Sequence, residues 1–182
     1  SLCLAFYLEI LFGVAALSYF ILNIIYTFKL KHQVIADVLL ISIFFVIRAI
    51  AGCVVINVSI SPWLILCSFL LALFLALGKR RNEVISLGKR AKEHRSILSN
   101  YSFEMVEQML TITAATLIIS YSMYTFMAVN SHMMITIPFV IYGLFRYLYL
   151  VHRGNFGDEP ETLFIDKPML FNMILWFIII LF

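Results

Sequence analysis

Trp63-Leu-Ile-Leu-Cys-Ser-Phe-Leu-Leu-Ala-Leu-Phe-Leu-Ala-Leu-Gly78-Lys79-Arg80-Arg81-Asn82-Glu83 carries no charge until Lys79 and then three cations in succession. A membrane β-barrel strand alternates apolar and polar residues over about 10 positions, so this run is not one. A soluble amphipathic helix keeps a polar face, and this run has none. It reads as a helix inside a bilayer, ended by cations at the water boundary. The rest of the chain agrees. Its 182 residues are 63% hydrophobic, 15% aromatic and 13% charged, and the mean hydropathy is +1.02. Soluble domains are about 25% charged. The composition excludes a soluble enzyme, a disordered chain and a collagen-like fibre. The expected fold class is all-α: a polytopic transmembrane helical bundle.

Working outward, six apolar segments are expected: Leu4–Phe28, Val34–Asn57, Trp63–Gly78, Met105–Val129, Met133–Val151 and Pro168–Phe182. About 20 helical residues cross a hydrocarbon core of about 30 Å. The first run is already apolar near Ser1 and the last is still apolar at Phe182. The expectation is a single integral membrane domain, 1–182, that is a fragment of a longer protein. Lys29 and Lys31 lie in the first connection. Lys79, Arg80, Arg81, Lys89, Arg90, Lys92 and Arg95 lie in the third, and Arg153 and Lys167 in the fifth. The second and fourth connections hold no cation. Only Arg48 and Arg146, of 13 Lys and Arg, fall outside those three connections. The positive-inside rule makes all three cytoplasmic. Topology thus accounts for most of the net charge of +3, and no nucleic-acid partner is expected. The bilayer itself is the expected partner.

Two connections are longer than a turn needs. In Lys79–Glu104, Val84, Leu87, Ala91, Ile97 and Leu98 make a rough helical stripe opposite Lys89, Arg90, Lys92 and Glu93. This pattern predicts an amphipathic helix on the inner leaflet, within a cytoplasmic cap loop. The connection 152–167 is acidic, with Asp158, Glu159, Glu161 and Asp166, and Gly157 and Pro160 keep it irregular. Cys3, Cys53 and Cys67 all lie in apolar runs without metal-ligand spacing, so they read as packing residues.

Charges inside apolar runs carry the functional signal. Asp37 and Arg48 are about three turns apart on one helix face, about 16 Å along the axis, too far to pair with each other. A charge at such depth costs about 2.5–3.5 kcal/mol on insertion. Each calls for an interhelical ion pair or a polar cavity open to the cytoplasm. Arg146, near its helix end, can snorkel. Glu104 and Glu107 suit the N-terminus of the fourth segment. The run Gly78–Glu83 is the densest chemistry. Arginine forks match phosphate oxygens, lysine adds a point charge, and a carboxylate can hold Mg²⁺ bridging the phosphates. A lipid-headgroup anchor and a phosphate site both fit it. Tyr26 and Lys31 lie at the same cytoplasmic level.

Tyr26-Thr-Phe-Lys-Leu-Lys31-His-Gln-Val-Ile-Ala-Asp37, then Phe45-Val-Ile-Arg48-Ala-Ile-Ala-Gly52, resembles the UbiA superfamily of membrane prenyltransferases, within it most of all the branch of decaprenyl-phosphate phosphoribosyltransferases. Ser61-Pro-Trp63, Gly78-Lys-Arg80 with Glu83, and Gly157-Asp-Glu-Pro-Glu161 through Asp166-Lys also fit that branch, and the likeness runs over essentially the whole chain. The resemblance implies a ring of nine helices around a cavity open to the cytoplasm and laterally to lipid, with the six segments here as helices four to nine. The superfamily's first Mg²⁺-binding Asn/Asp-rich loop is not found; it would lie upstream of Ser1. Where prenyl-diphosphate users carry a second Asp-x-x-x-Asp, this chain reads Lys79-Arg-Arg-Asn-Glu83. That departure suits the phosphoribosyl branch.

The implied activity is Mg²⁺-dependent transfer of 5-phosphoribosyl from phosphoribosyl pyrophosphate to a polyprenyl (decaprenyl) phosphate, feeding cell-envelope glycan synthesis from the plasma (bacterial inner) membrane. The implied roles are Lys79, Arg80, Arg81 and Lys31 on phosphates, Glu83 on the metal and Asp37 on metal or ribose. Tyr26 would donate to a phosphate oxygen, and Arg48 would support Asp37 or reach the acceptor. An aromatic prenyltransferase of the same fold, using a polyprenyl diphosphate, is the first alternative. A transporter with Asp37 and Arg48 on its pathway is another, although the chain shows neither broken helices nor paired repeats.

Overall fold

The computed structural model describes residues 10–28, 30, 33, 35–58, 61–87, 101–127, 131–153 and 165–181. These form six α-helices and one 3₁₀ helix, and no strand occurs among the described residues. The α-helices are α1 (Ile10–Phe28), α2 (Ala36–Val55), α3 (Pro62–Leu87), α4 (Phe103–Met127), α5 (Ile137–His152) and α6 (Lys167–Leu181); the 3₁₀ turn Ser131–Thr136 leads into α5. The chain is an all-α polytopic helical bundle. Among the described residues, four stretches are long and apolar enough to cross a membrane: Ala36–Val55, Pro62–Ile85, Phe103–Met127 and His132–His152. Phe20, Phe28, Ile112, Ile119, Phe126, Phe145, Phe171 and Phe177 stay exposed on the helix surfaces. Water would penalise such faces, whereas lipid does not.

The starts of α3, α4 and α6 are chemically marked. Pro62 opens α3, where its missing N–H costs nothing. Ser102 caps α4 by accepting the Met105 N–H at 3.1 Å. Asp166 caps α6, accepting the Met169 N–H at 3.0 Å. Within the helices, Ser18, Thr27, Ser42, Thr111, Thr113, Thr116 and Ser122 donate their hydroxyls to the carbonyl four residues earlier. Polar side chains thus satisfy themselves on their own helix, as an apolar solvent requires.

The chain divides into two compact units, Ser1–Leu73 and Phe74–Phe182, and the division falls inside α3. In the first unit α1 and α2 pack through aromatic rings: Tyr19 and Tyr26 both meet Phe44 edge-on, at 5.2 and 5.8 Å. In the second, the last part of α3 meets α5 through the Phe74 and Tyr147 rings and reaches α4 and α5 through Arg81, with Phe74, Leu77, Val106, Leu110 and Val151 buried, while α6 packs on α5. Trp176 Nε1 donates to Tyr121 Oη, which shares a hydrogen bond with Thr136, tying α6, α4 and the 3₁₀ turn.

The third helix departs from expectation. The apolar run ends at Gly78, but the helix continues through Leu87, so Lys79–Glu83 is helical and not part of a loop. The physical reason lies on both sides of Gly78. Lys, Arg and Glu are good helix formers and nothing after Gly78 breaks the helix. Gly78 itself is buried against Tyr147, where an added Cβ would lie 2.8 Å from the ring Cζ. A glycine that reads as a stop is a packing notch. Val84 continues α3; positions 88–100, where the amphipathic stripe continues, lie outside the described residues.

Candidate functional site

In the first unit, Asp37 is fully buried in the first turn of α2. The residue before the helix, Ile35, has φ 71°, a value a β-branched side chain rarely adopts. Tyr26 is half-buried near the end of α1, its ring against Phe44. Arg48 is exposed on α2 and donates to Tyr19 Oη, with its guanidinium 5.2 Å from the Tyr19 ring and 5.5 Å from the Phe45 ring. Its partner is therefore a neutral hydroxyl flanked by π faces, not the carboxylate that one of the two expected readings called for. Lys31 lies outside the described residues.

In the second unit the basic turn of α3 splits into one exposed and two buried cations. Lys79 is exposed; Arg80 and Arg81 are 3% and 4% exposed. Arg80 pairs with Glu83 one turn on and lies 6.0 Å from the Tyr101 ring. Arg81 crosses to two other helices. Its Nε donates to Glu107 Oε1 on α4, and one terminal NH donates to the Val151 carbonyl on α5 at 2.8 Å. Its guanidinium stacks 5.1 Å from the Phe103 ring. The second oxygen of Glu107 meets His152 Nε2 at 3.1 Å, and His152 Nδ1 lies 2.7 Å from the Leu148 carbonyl. Such charge-assisted bonds are what allow arginines to be buried.

Lys79 and Glu83 are four residues apart on α3 and so share a helix face. The result is a rigid platform: an exposed ammonium, a partly exposed carboxylate, and two guanidinium groups locked beneath. Glu107 reads in the sequence as a helix-start acid and His152 as a loop residue. Their shared role needs three helices to meet and has no local signature. Arg146 likewise does more than snorkel. It grips Asp166 with two bonds, of 3.0 and 2.8 Å, and Asp166 caps α6. This holds the Asp166 carboxyl below the usual carboxylate range, chiefly through the Arg146 bond and further through the Met169 N–H. Asp158, Glu159 and Glu161 lie outside the described residues.

For a divalent cation the donor chemistry is sparse. Among the described residues no three His, Cys, Asp or Glu side chains cluster as a metal site would. A Mg²⁺ ion held mainly by water and substrate phosphates needs only one or two protein carboxylates. Glu83, at the lip of the platform, fits that demand, and the residues present do not form a self-sufficient cage.

No protein-family model matches the chain. Among curated proteins it is similar to the decaprenyl-phosphate phosphoribosyltransferase of Mycolicibacterium smegmatis, 26% identical over 97% of this chain and 59% of that protein. The proteins of the same name from Corynebacterium glutamicum and Mycobacterium tuberculosis are 28% and 26% identical, each over 87% of this chain and over 49% and 53% of their own length. The chain spans about half the length of the curated relatives it matches.

Proposed function

Starting from relatives that are transferases and that support a UbiA-type assignment, we propose that the protein transfers 5-phosphoribosyl from phosphoribosyl pyrophosphate to a polyprenyl phosphate. The observation that carries this reading is the α3 platform. It ends a membrane-length apolar helix with an exposed lysine, backed by two arginines held in fixed geometry. A donor bearing three phosphates and an acceptor whose phosphate is at the membrane surface both call for cations at that boundary.

In the proposed reaction the bond between ribose C1 and the pyrophosphate oxygen breaks, and a bond from C1 to an acceptor phosphate oxygen forms. The acceptor phosphate is already ionised, so no strong general base is required. Catalysis then rests on positioning and on charge neutralisation. Lys79 is assigned to the pyrophosphate as a mobile point charge. Arg80, through Glu83, and Arg81, through Glu107, hold the turn that presents Lys79. A Mg²⁺ ion held by Glu83 and the donor phosphates would neutralise the leaving pyrophosphate. Within the first unit, Asp37, Tyr26 and Lys31 are assigned to ribose and phosphate contacts, and Arg48 to supporting Asp37 or reaching the acceptor. In this reading the basic helix ends face the cytoplasm, the membrane is the bacterial inner membrane, and the product feeds cell-envelope glycans.

The test uses membranes containing the full-length protein with Mg²⁺, labelled phosphoribosyl pyrophosphate and a polyprenyl phosphate. Label is expected in the lipid phase, to vanish with EDTA, and to fall by about 100-fold in Lys79→Ala, an exposed position whose loss leaves membrane insertion intact. Absence of lipid label, with prenylation of an aromatic acceptor in a parallel tube, would overturn the reading. Full turnover in Lys79→Ala would remove the platform from the site.

A further inference from the structure

His152 presents an arrangement the proposed reaction does not use. Both ring nitrogens face oxygens that can only accept. Nδ1 is 2.7 Å from the Leu148 carbonyl, and Nε2 is 3.1 Å from Glu107 Oε2. A neutral imidazole has one N–H, so it can satisfy one of these oxygens and must turn a lone pair toward the other. The imidazolium satisfies both. Arg81 donates to the other oxygen of Glu107.

The consequence reaches the platform by a short path. His152 closes α5, Glu107 stands in the second turn of α4, and Arg81 is on α3. Arg81 touches both neighbours, through Glu107 and through the Val151 carbonyl next to His152. The other charged groups around this junction are Arg153, stacked on Tyr149; Glu104, exposed one turn before Glu107; Lys79, exposed on α3; and Arg80, paired with Glu83. An isolated half-exposed histidine–carboxylate pair would be worth little. This one holds the carboxylate that compensates a buried guanidinium.

We propose that His152 is a positioning residue: its ring fixes Glu107, Glu107 fixes Arg81, and the basic turn of α3 is thereby held in its working place. The effect on turnover rests on the phosphoribosyl-transfer reading above; the coupling of helix ends does not.

Two readouts test it on the full-length protein: thermal unfolding in detergent and lipid-phase transfer with kcat and KM separated. His152→Leu should lower kcat at least about ten-fold, since a displacement of about 1 Å can cost about 100-fold, and should lower the unfolding temperature. His152→Gln and His152→Lys, which can still donate to Glu107, should recover most of both losses. In a Glu107→Gln background, His152→Leu should cost little more than Glu107→Gln alone. Wild-type turnover in His152→Leu, or equal losses in His152→Leu and His152→Gln, would overturn the proposal. If His152→Leu does not insert, His152→Gln decides alone: near wild-type values support the clamp and a loss of about ten-fold overturns it. If no variant or wild type transfers label, the transfer reading falls, and the unfolding comparison still decides the clamp.

Discussion

Arg48 in α2 and Arg81 in α3 both lie in apolar helices, and the protein treats them in opposite ways. Arg81 is buried, its donors go to a carboxylate and a carbonyl, and its guanidinium lies over the Phe103 ring. Arg48 is exposed, with one tyrosine hydroxyl and two rings, and it forms no ion pair among the described residues. Burial forces compensation, because an unpaired ion in a low-dielectric interior costs several kcal/mol. Exposure at membrane depth postpones it, leaving donors for lipid, water or substrate. The end of α3 is therefore a preassembled electrostatic structure, and the middle of α2 is an open one.

Removing compensation should separate the two most sharply. Glu107→Leu strands Arg81 and should cost about 3–5 kcal/mol of folded stability in detergent unfolding; a loss below about 1 kcal/mol would show that Arg81 is not dependent on it. Arg48→Leu should act in the other direction, favouring insertion of the α2 segment by about 2.5–3.5 kcal/mol in a glycosylation-based insertion assay. Unchanged insertion would mean that Arg48 is already compensated in the membrane. Gly78→Ala tests whether the platform depends on the notch beneath it. Crowding Tyr147 should cost about 1–3 kcal/mol by unfolding, and a neutral result would mean that the ring yields. Tyr19→Phe removes the single hydroxyl that Arg48 uses and should cost only about 1 kcal/mol. The smallest effect concerns Asp166. Its lowered pKa means that its pairing stabilises the fold above the ordinary carboxylate range, and that this is lost as pH falls through the lowered value. Asp166→Asn keeps a capping side chain without the charge, so the acid limb of the unfolding profile should flatten.

The helices were legible because continuous apolar runs leave few alternatives, and their ends moved by only a few residues at most boundaries. The exception was α3, where a glycine and a cation cluster looked like a terminus. Whether a glycine stops a helix or receives a ring depends on Tyr147, 69 positions away in sequence. Lys79–Glu83 drew notice by composition alone, but the sequence gives no hint that Lys79 is exposed while Arg80 and Arg81 are sunk. Glu107 and His152 were unreadable as partners for the same reason. Asp166 is different. An aspartate directly before Lys167-Pro168 carries the marks of a helix cap, a signal that its acidic neighbours masked.

That cap has a consequence for how the protein tolerates change. Asp166 is tied to Arg146 on α5 by two bonds and to the first turn of α6 by another. At the other end, the Arg153 N–H closes α5 on the Tyr149 carbonyl at 3.1 Å. Both exits of the 154–164 connection are thus fixed by residues outside it. Insertions or replacements there should leave the register of α5 against α6 unchanged, which makes this connection the natural place to splice in a reporter tag or exchange a loop between relatives.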